Sequence, residues 1–134
     1  MRELFFSQNV FEDEILNLFT KDLDASASLK DILNLKVPIQ IRPPGTYSSY
    51  SNHGTGMAAH IVENITQMSF NEYVEAKILK PLGMAHSTFQ QPIPAHLEPL
   101  NSKGYKKIDG DLVEQDFEYV PLYPVGGASI SGGD

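Results

Sequence analysis

Apolar positions recur at helical spacing in several stretches of the chain and alternate at strand spacing in only one short region. Phe11, Ile15, Leu18 and Phe19 share one face of a helix predicted over residues 9–19, with Asn9 and Glu12 spaced as a capping box. Its acidic run Glu12-Asp13-Glu14 falls in the first turn, where the helix dipole favours negative charge, and reads as solvated surface rather than a metal site. Ser28 and Asp31 open a second helix of about two turns carrying Leu29, Ile32 and Leu33, which Val37-Pro38 ends. A third helix is expected from about His53 to Thr66, with Met57, Ala58, Ile61, Val62 and Ile65 as its apolar stripe. After a break near Gln67, Ser69-Phe70-Asn71-Glu72 is another capping box, and Met68 and Tyr73 have the spacing of a hydrophobic staple. Phe70, Tyr73, Val74 and Ile78 carry this fourth helix's buried face up to Pro81-Leu82-Gly83.

Between these helices the pattern breaks down. Residues 37–52 hold Pro38, Pro43, Pro44 and Gly45 and then a polar Tyr-Ser-Ser-Tyr-Ser-Asn run, which is turn chemistry without amphipathic period. Beyond Thr88 the prolines 92, 94 and 99 make the chain irregular. There Asp109-Gly110, flanked by Gly104-Tyr105-Lys106-Lys107-Ile108 and Leu112-Val113, predicts a hairpin. The Gly-rich finish, Val125 to Asp134, has no stop signal and reads as the interior of a longer sequence.

Composition narrows the function classes. With 41% hydrophobic and 20% charged residues, 134 residues are enough for one modest folded domain or part of one. Seventeen acidic against ten basic residues, with no Lys/Arg stripe, argue against a nucleic-acid partner. Absence of cysteine rules out disulfides and thiolate metal sites without fixing a compartment. The opening Leu4-Phe5-Phe6 is too short for an export signal, and no run approaches the roughly 20 apolar residues of a membrane span.

Four histidines, at 53, 60, 86 and 96, include no pair at the i, i+4 spacing of a helical zinc site. Asp109-Gly110-Asp111 resembles a fragment of a calcium loop but lacks the other oxygen ligands, so it reads as a turn. Ser129 and Ser131 lack the Gly-x-Ser-x-Gly arrangement of a nucleophile elbow.

The chemistry-bearing candidates are Tyr50 and Asn52, a phenol and a carboxamide two residues apart in the loop before a helix. In extended backbone, residues i and i+2 project to the same side, whereas on a helix they diverge by about 200°. The pair is therefore expected to share one exposed rim. A phenol accepts a proton from a serine only where neighbouring positive charge lowers its pKa, and an amide beside it can hold a substrate carbonyl. Tyr-x-Asn is also a common string, and Asn52 stands where the helix N-cap is expected.

The surroundings are more specific. Pro44-Gly45-Thr46, then Tyr50-Ser51-Asn52-His53-Gly54, the helix pair ending in Lys80-Pro81-Leu82-Gly83-Met84, and Ser87-Thr88-Phe89 together resemble the serine beta-lactamase-like and penicillin-binding-protein family. That family includes AmpC-type beta-lactamases, D-aminopeptidases and esterases. The resemblance continues through Gly104-Tyr105 to the Gly-rich segment at 124–134, and so covers nearly the whole chain. It implies that Tyr50 belongs to a proton-transfer apparatus and that Asn52 lines an acyl site, with Ser51 in the variable middle position. Two family parts are missing. No serine here has a lysine three residues later, as the family's Ser-x-x-Lys nucleophile motif requires, and no Lys-Thr-Gly or His-x-Gly strand follows. Gln67-Met68 stands where members often have glycine between the helices.

The resemblance implies a mainly α structure with long irregular loops and at most one short hairpin. Residues 1–134 would then be a partial domain, the helical subdomain of the beta-lactamase/transpeptidase-like α+β fold. In an intact relative, serine attacks a carbonyl of a D-alanyl peptide, beta-lactam or ester without any cofactor. This chain is expected to be inactive alone, with a small-molecule or peptidoglycan-like substrate for the intact protein, and family members commonly work in the cell envelope. The alternative is a non-catalytic binding module, in which uncovered apolar faces promote self-association.

Overall fold

The computed structural model describes residue 11 and residues 18–24, 27–35 and 37–134. Most of the helix expected over 9–19 lies outside these. At its described edges, Phe11 forms an antiparallel bridge with Gln40, and Leu18 and Phe19 are not helical. Close by, Thr20 pairs with Tyr119 through two backbone bonds of 2.9 and 2.7 Å. The pairing with Gln40 joins segments too distant in sequence for local periodicity to register.

Helix α1, Leu29–Leu35, starts as its sequence predicts. The Ser28 amide and hydroxyl donate to the Asp31 carboxylate at 3.2 and 2.5 Å, and the Asp31 amide donates to Ser28 Oγ at 3.2 Å. Helix α2, Asn52–Thr66, is capped by Ser51, whose side chain accepts from Gly54 N–H. It ends where Gln67 turns left-handed at φ 56. This backbone favours glycine over other residues.

The buried side of α2 differs from the expected stripe. Asn52, Gly54, Gly56, Ala58 and Ala59 are covered, while Ile65 is 71% exposed. Small residues decide this because the helix is pressed against its neighbours: a Cβ on Gly56 would sit 2.7 Å from Leu122 Cδ1 and 3.1 Å from Leu33 Cδ2. Leu29, Leu33 and Ala59 form the core here, with Met57, Phe70 and Leu122 packed around them.

Helix α3, Phe70–Val74, begins at the expected capping box, with Ser69 N–H on Glu72 Oε2 at 3.0 Å. It passes through a π-helical turn, Glu75–Leu79, into a last turn, α4, Lys80–Leu82. In a regular α-helix Pro81 would leave the carbonyl four residues back without its N–H partner and clash with it. The backbone widens ahead of the proline, where Lys80 N–H bonds Glu75 C=O five residues back, and the helix closes after it at left-handed Gly83, across which Met84 N–H bonds Leu79 C=O. One extra residue in the turn rotates the face. Leu79 is buried and Ile78, expected in the core, is 44% exposed.

Strands β1, Gly104–Ile108, and β2, Asp111–Gln115, pair antiparallel from Gly104 opposite Gln115 to Ile108 opposite Asp111. Asp109 and Gly110 turn with φ of 52° and 103°, which suits the right-handed twist of a two-residue hairpin. All ten strand residues are exposed. The chain then returns to the body. The Gln91 carboxamide donates to Val120 C=O at 3.0 Å and accepts from Val120 N–H at 2.8 Å, and Thr88 and Ser129 exchange backbone bonds of 2.9 Å. The expected mix of helices, irregular connections and a single hairpin is thus present among the described residues.

Eight apolar residues are buried among those described, so each carries a large share of the core. Leu29→Ala is expected to destabilise the chain by about 2–5 kcal/mol. That is a large part of the usual 5–15 kcal/mol, and urea unfolding followed by circular dichroism will read it as a lower midpoint.

Candidate functional site

Tyr50, Ser51 and Asn52 lie where the irregular segment meets α2. Ser51 is extended, at φ −148° and ψ 114°, and this conformation turns its two neighbours to the same side. The Tyr50 hydroxyl donates to Asn52 Oδ1 at 3.0 Å. The two groups therefore meet, through local backbone geometry.

They do not share an exposed rim. Tyr50 is 59% exposed, but Asn52 is only 7% exposed. The reason is the helix start: Ser51, not Asn52, is the N-cap, so Asn52 is already the first helical residue and packs into the helix base. The arrangement is an exposed phenol resting on a covered carboxamide. Its chemical capacity is that of a donor–acceptor pair whose outer member faces solvent and whose inner member is fixed.

Ser51 is the residue the sequence pattern undervalued. It is 2% exposed, its Oγ accepts from Gly54 N–H at 3.1 Å, and its carbonyl accepts from Thr55 N–H and Thr55 Oγ1 at 3.1 and 3.2 Å. A serine just ahead of an apolar helical run is an N-cap signal. The adjacent Asn52 offered an equally good cap and obscured it.

On the other side of Asn52, the His53 ring meets Phe11 edge-on at 5.7 Å. Burial holds the His53 pKa below its ordinary value of 6.5, because the imidazolium would lose solvation there. His60 sits two turns on and pairs with Glu63 at 3.2 Å. Among the described residues, no three His, Asp or Glu side chains converge to hold a metal.

A cleft of about 290 Å³, lined in part by Leu29, Glu63, Phe89 and Tyr123, lies toward the other end of α2. Glu63 is roughly 17 Å along the helix axis from Asn52 at 1.5 Å per residue, so this cleft is separate from the pair. A further cluster joins Asp134 to residues 86–87: His86 N–H and Ser87 Oγ–H donate to its carboxylate at 2.8 and 2.7 Å. Ser87 Oγ in turn accepts from Ser131 N–H at 3.2 Å. These bonds fasten the Gly-rich segment to the turn after α4.

The chain is similar in sequence and fold to known proteins. Residues 20–130 match the family model described as Beta-lactamase. Over 48 residues the chain is 40% identical to "Protein flp" of Staphylococcus aureus (strain MW2), covering 36% of this chain and 10% of that protein. Over 54 residues it is 41% identical to a "Putative D-alanyl-D-alanine carboxypeptidase" of Salmonella schwarzengrund (strain CVM19633), covering 40% of this chain and 12% of that protein.

Among solved structures, D-amino acid amidase from Ochrobactrum anthropi SV3, with L-phenylalanine amide, superposes with a TM-score of 0.70 at 20% identity. That match covers 95% of this chain and 38% of the amidase. Penicillin binding protein from Bacillus halodurans gives 0.64 at 28% identity, covering 92% and 38%. The matched regions span about a tenth of the curated relatives and under two fifths of these structures.

The half-buried imidazole gives a pH test. A depressed folded pKa means the stability His53 contributes is whole above pH 6.5 and is lost as pH falls through the lower folded value. The His53 ring-proton titration is expected to show a midpoint below 6.5, and His53→Gln should remove that part of the acid lability.

Proposed function

The chain belongs to the beta-lactamase family, and on that premise we propose that it is the part of a serine acyl-transfer enzyme whose Tyr50–Asn52 pair forms one wall of the whole enzyme's catalytic cleft, distinct from the cleft beside Glu63. The observation that carries this reading is the 3.0 Å bond from the Tyr50 hydroxyl to Asn52 Oδ1. It sets a phenol beside an amide at the mouth of α2, the combination that proton transfer to and from an attacked acyl group can use.

In the reaction we propose for the whole enzyme, a serine hydroxyl gives up its proton and adds to a carbonyl carbon, and the leaving amine, ring nitrogen or alkoxide departs as its bond to that carbon breaks and takes up a proton. Water or an amine then releases the acyl group. Tyr50 is assigned to proton transfer and Asn52 to holding the substrate amide or carbonyl. D-alanyl peptides, beta-lactams and small esters are the substrate classes, and the chemistry calls for no cofactor. The relatives' names, a D-alanyl-D-alanine carboxypeptidase and a D-amino acid amidase, support acyl chemistry at D-configured substrates. The described helices correspond on this reading to the helical part of an α+β enzyme.

With no serine three residues ahead of a lysine in its sequence, this chain is proposed to be inert alone. Incubation with a fluorescent penicillin is expected to leave it unlabelled in a denaturing gel, and stoichiometric labelling would overturn inertness. In a product extended upstream to an in-frame Ser-x-x-Lys, Tyr50→Phe is expected to lower the acylation rate by about 10²–10⁴-fold. An unchanged rate would remove Tyr50 from the mechanism.

One observation favours the second reading, a non-catalytic binding module. Leu35, Val37, Ile39 and Ile41, at alternate positions, are 80, 67, 71 and 52% exposed. Such a strip favours self-association. Sedimentation velocity is expected to show concentration-dependent association that Ile39→Asp with Ile41→Asp abolishes, and a monomer at every concentration would argue against an uncovered self-docking face.

A further inference from the structure

We propose that Ser51 is a positioning residue for the Tyr50–Asn52 pair: its buried hydroxyl holds the one extended residue that turns phenol and carboxamide toward each other. The inference rests on reading Tyr50 and Asn52 as a functional pair. It assigns to the middle residue of the motif a role that the resemblance leaves open.

Three features carry it. First, alignment of the pair requires an extended residue directly before a helix. At φ −148° and ψ 114° Ser51 supplies this, and Asn52 is helical from the next position. Second, the hydroxyl and the carbonyl of Ser51 are both engaged by the first turn of α2. Oγ accepts from Gly54 N–H at 3.1 Å, and the carbonyl accepts from Thr55 N–H at 3.1 Å and Thr55 Oγ1 at 3.2 Å. The residue therefore cannot rotate about φ or ψ without breaking a bond in a place that water scarcely reaches, since it is 2% exposed.

Third, the helix that clamps Ser51 is itself held. Gly56 packs so closely that an added Cβ would stand 2.7 Å from Leu122 Cδ1 and 3.1 Å from Leu33 Cδ2 and would push those side chains aside. The chain of restraint thus runs from the packed turn of α2, through the cap, to the side chains of residues 50 and 52. Tyr50, 59% exposed, has little packing of its own to fix it, so its orientation depends on the backbone beneath it.

The test reads the geometry of the pair without substrate, so failure of the acyl-transfer reading leaves its result untouched. The probe is the Asn52 side-chain amide in ¹⁵N–¹H spectra at neutral pH. Tyr50→Phe defines the full displacement on losing the phenol bond. Ser51→Ala and Ser51→Gly are expected to move the Asn52 signals in the same direction by at least half that displacement. Ser51→Thr, which keeps an accepting hydroxyl, is expected to return them to the wild-type position. The glycine variant guards against a folding failure, because glycine at an N-cap costs only a few tenths of a kcal/mol. Asn52 signals in Ser51→Gly that coincide with wild type would overturn the proposal, as would a threonine variant displaced as far as the alanine one.

Discussion

A carboxylate shielded from water must find donors, and in this fold Glu63 finds them on separate segments. Its side chain is 19% exposed. Oε1 accepts from Phe70 N–H at 3.0 Å and from the Tyr123 hydroxyl at 3.2 Å, while Oε2 lies 3.2 Å from His60 Nδ1. Burial and the negative charge of Glu63 push the Tyr123 pKa up, so the phenol remains a donor. This one group fastens the end of α2 to the start of α3 and to the 3₁₀ turn Tyr123–Val125. Leu122, just before that turn, is the residue that meets Gly56 near the other end of α2. The base on which Asn52 rests is thereby braced from a point three helical turns away.

What could be read from the sequence was what local chemistry decides. The box Ser28-x-x-Asp31 and the box Ser69-x-x-Glu72 open helices where their spacing predicts, and Asp109-Gly110 turns the hairpin. Tertiary contact decided the rest. Ile65 fits the periodic stripe of α2, yet the helix buries its small residues Gly54, Gly56, Ala58 and Ala59, with Leu122 close against Gly56, and leaves Ile65 outside. The Phe11–Gln40 bridge depends on segments that no local window joins. At the site, the pairing of Tyr50 with Asn52 was legible as an i, i+2 relation. The burial of Asn52 was not, because it turned on a choice between adjacent serine and asparagine caps.

The family assignment and the fold similarity rest on different foundations. At 20% identity to the amidase the likeness establishes fold alone, whereas the match over residues 20–130 establishes the family. Between them, the Tyr50–Ser51–Asn52 geometry is set by the cap at Ser51 and held by the packing of α2 against Leu33 and Leu122, all of it within this chain. For that reason the pair is organised in a chain whose sequence contains no Ser-x-x-Lys. Catalytic competence is a separate matter, since it needs groups drawn from distant parts of a fold.

The wide turn at Glu75–Leu79 carries a consequence for how this lineage can vary. Helices usually accept length changes at their ends, but here an additional residue sits inside one and shifts the phase of everything after it by about 100°. Glu75, at the start of the bulge, receives the hydroxyl of Thr88 at 2.8 Å, and Thr88 anchors Ser129. Removing the surplus residue would restore regular winding only by swinging that anchor out of register. The irregularity is thus coupled to distant strand-like pairing, and relatives should keep or lose the two together.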